Sequence, residues 1–162
     1  MKALVIGADG YIGSALLKAL KSYDGIEATG STKADLDLLK PFLVQTPHPE
    51  VVYICAAKTR FIDCEADPTA YRINVDGPIA LAQHFNHSKI IYLSSEAVER
   101  ALHTNYGMHK ALAEMYLRTT GNTIIARICK KVTDKTLPDC CAWLAGLATV
   151  RPGLYRWTAE GA

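Results

Sequence analysis

A short apolar run, Lys2 to Ile6, breaks into Gly7-Ala8-Asp9-Gly10-Tyr11-Ile12-Gly13, and a helical pattern starts at once. Three glycines at every third position between a strand and a helix constrain the fold more than any other feature of the chain. Tyr11 to Tyr23 places Ile12, Ala15, Leu16, Ala19 and Leu20 on one face, so the segment reads strand, turn, helix. At such a turn, unpaired N–H groups and the positive end of the helix dipole can seat a dinucleotide pyrophosphate. The spacing is not the G-x-G-x-x-G of many dehydrogenases, but the roles carry over. Gly7 makes the turn, Gly10 lets a ligand approach, and Gly13 packs helix on strand.

The alternation continues. Ile26 to Thr29 reads as a weak strand, Leu36 to Gln45 as a short helix stopped by Pro47, and Val51 to Ile54 as a β-branched strand. Pro68 to Phe85 is a long helical stretch and Lys89 to Leu93 a strand. His103 to Thr119 is a helix, followed after Gly121-Asn122 by a fifth strand, Thr123 to Ile128. Continuous apolar strands joined by helices predict an α/β, doubly wound parallel sheet, because parallel neighbours need long crossovers. Thr136 to Val150 reads as one more helix, while Arg151 to Ala162 has no clear pattern. With 162 residues, 49% of them hydrophobic, and no linker or repeat, a single domain over 1–162 is expected, with 129–162 as a residual C-terminal segment.

Charge excludes some partners. The 18 basic and 16 acidic side chains are interspersed, so no basic stripe is present and nucleic acid is not expected as a partner. The opening apolar run is cut by Gly7 and Asp9, and no later run approaches the length of a membrane span, so neither signal peptide nor membrane contact is expected. Five cysteines, odd in number and without metal spacing, predict a reducing cytoplasm and no metal site. His84 and His87 lie three apart without a carboxylate or thiol to complete a ligand set.

Two further clusters carry chemistry. Tyr106 and Lys110 are four residues apart, on one helical face, and an ammonium near a phenol lowers the phenol's pKa and improves it as a proton shuttle. Ser94-Ser95 ends the preceding strand, at the sheet edge where open α/β proteins bind ligands. The second strand ends in Gly30-Ser31-Thr32-Lys33 with no carboxylate for an adenosine ribose, which favours NADP and leaves NAD possible. Lys33 also reads as a solvated loop lysine.

With G-x-x-G-x-x-G, a serine after the fourth strand and Tyr-x-x-x-Lys together, the chain resembles the extended short-chain dehydrogenase/reductase family, over roughly Lys2 to Arg127. Ala56-Ala57 is similar to the small residues that family sets under its cofactor, and Asn74-Val75-Asp76-Gly77 to its Asn-containing helix. The stretches 32–39 and 52–58 look most like nucleotide-sugar reductases, GDP-fucose synthase among them.

The resemblance implies a Rossmann-like fold. It assigns Ser95 to polarising a substrate carbonyl or hydroxyl, Tyr106 to proton transfer and Lys110 to supporting both phenol and ribose. Ser94 would be a strand-end structural serine. The cofactor would meet Gly7, Gly10, Tyr11, Ile12, Gly13, Ser31, Lys33, Asp37, Ala56, Ala57, Lys58 and Asn74 as well as Tyr106 and Lys110, with Asp37 toward the adenine. Ser94-Ser95-Glu96-Ala97 lacks the acid and base of sugar dehydratases, and no epimerase-type cysteine follows, so simple reduction or oxidation is expected. Glu96, Glu99 and His103 read either as loop charges or as added acid-base groups.

The chain also departs from the family. Only 11 positions separate Ser95 from Tyr106, a short loop, and the family's Arg-Pro-x-Asn becomes Arg127-Ile128-Cys129-Lys130. Thirty-five residues follow Arg127, too few for that family's substrate lobe, although Trp143 or Trp157 could roof a small pocket. The expected function is therefore NADP-dependent oxidation or reduction of a small-molecule substrate, sugar-like or a nucleotide sugar. The alternative is a non-catalytic NAD(P)-binding sensor or interaction protein. A homodimer through Pro78–Phe85 and Tyr106–Leu117 is also expected.

Overall fold

The computed structural model describes residues 1–32, 48–57 and 59–158. The apolar runs become parallel strands: β1 (Lys2–Ile6), β2 (Glu27–Ser31), β3 (Val51–Ile54), β4 (Lys89–Ser95), β5 (Thr123–Ile128) and β6 (Gly153–Trp157). They form one sheet in the order β2-β1-β3-β4-β5-β6. The helices are α1 (Tyr11–Lys21), α2 (Phe61–Ala66), α3 (Thr69–Tyr71), α4 (Gly77–His84), α5 (Ala97–Arg100), α6 (Asn105–Arg118) and α7 (Leu137–Gly146). A π-helical turn, Arg72–Asp76, joins α3 to α4, so Pro68 to Phe85 is one stretch with a bulge. The helix expected over Leu36 to Gln45 lies outside the described residues.

Successive strand residues point to opposite faces, and both faces are covered. Ala3, Val5, Tyr53, Ile91 and Ile124 pack with Leu16 and Leu20 of α1 and with Cys140, Cys141 and Leu144 of α7. Leu4, Ile6, Val52, Ile54, Tyr92 and Ile125 pack with Leu81 and Ala82 of α4 and with Ala113 and Leu117 of α6. The buried Tyr53 phenol donates to the Leu144 carbonyl at 2.9 Å, so this core carries no unpaired hydroxyl there. Cys55, Cys129, Cys140 and Cys141 are free thiols. Among the described residues no helix is long and apolar enough to cross a membrane, and no cluster of His, Cys, Asp or Glu could hold a metal ion.

The tail differs from the expectation. Gly153–Trp157 adds a sixth strand, pairing Ile124 with Gly153 and Ile128 with Trp157. It is a half-exposed edge strand, so its pairing partner defines it more than its own pattern does. Two short helices, α2 and α5, are likewise additions, and the Thr136 to Val150 helix divides into α7 and a 3-10 turn at Leu147–Thr149.

β1 is flanked by β2 on one side and β3 on the other, so the winding reverses there and a crevice opens at the carboxyl ends of β1 and β3. The glycine turn fills its mouth. Gly7 adopts φ +87°, and the Gly7 and Ala8 N–H groups donate to the Ser31 carbonyl at 2.9 and 3.1 Å. A Cβ on Gly13 would lie 2.0 Å from the Gly7 carbonyl oxygen, whereas one on Gly10 would meet that oxygen at 3.4 Å. Gly13→Ala should therefore destabilise the protein by about 2 kcal/mol or more through overpacking, and Gly10→Ala by under about 0.5 kcal/mol. Denaturant unfolding of the two variants checks this; equal stabilities would refute the assigned contact.

Candidate active site

The crevice is a cleft of about 1070 Å³. Gly7, Gly10, Tyr11, Ile12 and Gly13 line one side, Ala56 and Ala57 the floor, and Ser95, Tyr106 and Lys110 the other side. α1 begins at Gly10 with no side-chain cap and no acidic residue in its first turn, so its first N–H groups face the cleft unpaired. Added bulk at Gly7 would come within 2.7 Å of the Ala56 backbone nitrogen, so turn and β3 end are in close contact. These features fit a dinucleotide's pyrophosphate. They would hold it by backbone donors and by the helix dipole.

α6 carries the opposite wall. Thr104 caps it by accepting from the Gly107 N–H at 3.1 Å, which sets the turn from which Tyr106 points into the cleft. Tyr106 and Ser95 line the same cleft, and the Phe61 ring meets Tyr106 edge-on with centroids 5.3 Å apart. Burial raises the Tyr106 pKa, and the nearby Ser95 hydroxyl works against that rise. The expected lowering by an ammonium is not found, because Lys110 Nζ sits 5.8 Å from the phenol ring and donates instead to the Leu93 carbonyl at 2.9 Å. Ser95 Oγ also accepts from the Ala97 N–H at 3.1 Å, which fixes the hydroxyl at the strand end.

Lys110 is 4% exposed and stands 4.7 Å over the Tyr92 ring. Burial lowers its pKa to about 8, and the Glu114 carboxylate one turn on opposes a further fall. The Cys55 thiol beside it is pushed up to about 12 by burial and is therefore neutral at that pH. Glu114 in turn lies in a buried network. Arg127 donates to it through Nε at 3.0 Å and Nη2 at 2.6 Å, and Ser94 Oγ donates to it at 2.5 Å. Ser94 is thus the structural serine of the pair.

Glu99 accepts from Arg127 Nη1 at 2.6 Å and from Arg156 Nε at 2.7 Å, and these hydrogen bonds, Arg156 first, hold its carboxyl below the usual range. It is bound to arginines, so it is not a free acid-base group.

The structure does not bring every expected residue to the cleft. Asn74 is buried in the π-helical turn, within 3.3 Å of His109 Nδ1, and Ser31 is buried at the end of β2; neither lines the cleft. Lys33, Asp37 and Lys58 lie outside the described residues. Trp143 and Trp157 do not roof the pocket; residues 128 and 130–132 form that wall instead. Phe61, Thr59, Cys55 and the Lys130-Lys131 pair are lining residues with no motif to announce them.

A family model described as the RmlD substrate binding domain matches residues 1–129. Among solved structures the chain is similar to a dTDP-4-dehydrorhamnose reductase from Clostridium acetobutylicum, at TM-score 0.85 and 22% identity, over 98% of this chain and 74% of that one. It is similar to the dTDP-4-dehydrorhamnose reductase of Bacillus anthracis in complex with NADP, at TM-score 0.82 and 19% identity, over 97% and 74%. Serine dehydrogenase from Escherichia coli matches at TM-score 0.70 and 14% identity, over 100% and 99%. These likenesses establish the Rossmann-like fold. No curated protein matches the chain.

The buried lysine makes stability depend on pH. Its folded pKa of about 8 is below the ordinary 10.5, so the unfolded chain binds more protons between those values and stability rises with pH across that window. Below pH 8 the full cost, about 3 kcal/mol, is present. Lys110→Met should abolish this rise between pH 8 and 10.5 in denaturant titrations. An unchanged slope would contradict the burial of a charged ammonium.

Proposed function

The chain belongs to the RmlD substrate binding domain family, and from that premise we propose that it is an NADP-dependent oxidoreductase acting on a sugar-like or nucleotide-sugar carbonyl. The observation that carries the reading is the placement of Ser95, Tyr106 and a buried Lys110 in one cleft with an uncapped helix end. The NADP complex of the Bacillus anthracis reductase and the reaction named for that enzyme support the choice of cofactor and substrate class. NAD remains the second cofactor to test. Gly7, Gly10, Tyr11, Ile12 and Gly13 would hold the pyrophosphate, Ala56 and Ala57 would underlie the adjoining ribose, and Lys33, Asp37 and Lys58 are proposed on sequence alone.

When bound, the nicotinamide supplies a hydride. Ser95 holds the substrate oxygen by a hydrogen bond. Tyr106, with its pKa raised by burial, keeps its proton at neutral pH and can donate it to that oxygen as the carbonyl is reduced. Lys110, charged below its pKa of about 8 and 5.8 Å from the centre of the phenol ring, would hold the nicotinamide ribose rather than lower the Tyr106 pKa. Phe61 shields one face of the phenol from water.

Tyr106→Phe should leave the NADPH dissociation constant within about twofold, because the phenol contributes to proton transfer and not to the pyrophosphate seat, while turnover of a ketose or nucleotide-sugar substrate falls by about 10²-fold or more. Fluorescence titration with NADPH and NADH, followed by absorbance assays over a substrate panel, tests both parts. NADPH binding without turnover of any substrate would favour a non-catalytic sensor. Absence of binding to either nucleotide would end the proposal.

A homodimer belongs to the same reading. Met108 and Met115, seven residues apart on α6, are 47% and 67% exposed, and Gln83 Nε2 of α4 donates to the Tyr116 phenol at 2.9 Å, so α4 and α6 present one shared face. Pairing of that face with a second copy would cover both methionines. Sedimentation velocity at micromolar concentration should show a dimer that Met115→Lys converts to monomer. Monomer alone for the unaltered chain would exclude the interface.

A further inference from the structure

We propose that residues 128–134 form a substrate-recognition strap whose Lys130 and Lys131 receive the anionic group of a small carbonyl substrate. This inference rests on the oxidoreductase reading above and adds the chemistry of the substrate. The strap leaves β5 beside the reacting hydroxyl: Ile128 is in register with Ser95, and the Glu96 N–H donates to the Ile128 carbonyl at 3.3 Å. Lys130, Lys131 and Val132 then line the same cleft as Ser95 and Tyr106. Lys130 is two residues past Ile128, so its backbone stands within about 7 Å of that register point.

The strap is tied down rather than free. At its start the Cys129 N–H donates to the Trp157 carbonyl at 2.9 Å, and Lys130 Nζ rests 4.2 Å over the Trp157 ring, which fixes where the ammonium sits. At its far end the Tyr11 phenol donates to Asp134 Oδ1 at 2.5 Å, and the Leu137 N–H donates to the Thr133 carbonyl at 2.8 Å. Val132 packs on the α1-side core between these anchors. A strap held at both ends presents its lysines at defined positions, and that lowers the ordering cost of binding.

The charges around it favour an anion. The titratable groups lining the cleft with the two lysines are Asp9, Glu96, Tyr11, Tyr106, Lys110 and Cys55. Of the carboxylates nearest the strap, Glu96 faces Arg100 at 3.5 Å, Glu99 is bound by Arg127 and Arg156, and Asp134 is bound by Tyr11. Among the described residues no ion pair engages Lys130 or Lys131. A phosphate or carboxylate on the substrate would supply the counter-charge through charge-assisted hydrogen bonds.

The test compares dihydroxyacetone phosphate with dihydroxyacetone, two ketones that differ by a phosphate, titrated into the NADP-loaded chain with binding read by calorimetry and Trp fluorescence. The unaltered chain should bind the phosphorylated ketone about tenfold or more tightly, and Lys130→Gln/Lys131→Gln should reduce that ratio below about threefold with NADP affinity within about twofold. A ratio near one in the unaltered chain, or no binding of the phosphorylated ketone at about 10 mM, overturns the proposal. So does a double variant that loses NADP affinity by about fivefold and keeps the ratio, since the lysines would then serve the cofactor's phosphates. Failure to bind NADP at all instead defeats the oxidoreductase reading on which the strap depends.

Discussion

Glu114 and Arg127 meet in two parallel hydrogen bonds inside the protein, and this pair fixes where α6 stands on the sheet. Glu114 is on α6 and Arg127 on β5, while Ser94 on β4 donates to the same carboxylate, so one carboxylate joins three elements. Two buried charges are costly to desolvate, and they are tolerated here because nearly every donor and acceptor is paired. Loss of either partner would leave an uncompensated charge at a cost of about 3 to 5 kcal/mol. That penalty makes alternative positions of α6 unfavourable, and with them alternative positions of Tyr106 and Lys110, two turns and one turn earlier on the helix.

The same placement explains the electrostatics of the site. Lys110 is buried by the packing of α6 on β4, and it donates to the neutral Leu93 carbonyl. Burial favours the neutral amine; the Glu114 carboxylate favours the ammonium. The result is a lysine poised near pH 8, charged at neutral pH but less firmly than a surface lysine. Tyr106 is shifted the other way by the same burial, since desolvation disfavours the phenolate as it disfavours the ammonium. A neutral phenol next to a charged lysine is the protonation state that carbonyl reduction requires.

Local patterns in the sequence were enough for the parts that are local in physics. The glycine turn, the strands β1, β3 and β5, and the one-face spacing of Tyr106 and Lys110 depend on neighbours within a few residues, and the structure has them at the expected positions. What escaped depends on distant partners. β6 exists because β5 offers it an edge, and Arg127 reads as a departure from a motif until Glu114 is seen 13 residues away in sequence and 2.6 Å away in space. Glu99 shows the same limit: as a loop carboxylate it resembles an acid-base group, and only its two arginines reveal a structural acceptor. The lowering of the Tyr106 pKa that the Tyr106–Lys110 spacing predicts is not found, because helical spacing sets which side chains share a face, not which acceptor an ammonium chooses.

Two concavities among the described residues show why chemistry collects at one sheet edge. At the amino-terminal edge, a smaller hollow is bordered by Gln83, Asn86, Ser88, Tyr116, Thr120 and Asn122, and several of its polar groups pair with one another, Gln83 with the Tyr116 phenol and Asn122 with the Ser88 carbonyl at 2.7 Å. Neutral groups that satisfy each other have little to offer a ligand. At the carboxyl edge the strands end in turns and helix starts, so N–H groups point outward, and the β4 end brings Ser95 against α6. Parallel strands align these ends on one side, whereas alternating strands would divide them between two. The site is therefore a consequence of parallel winding, and its position follows from the reversal between β1 and β3 that opens the sheet there.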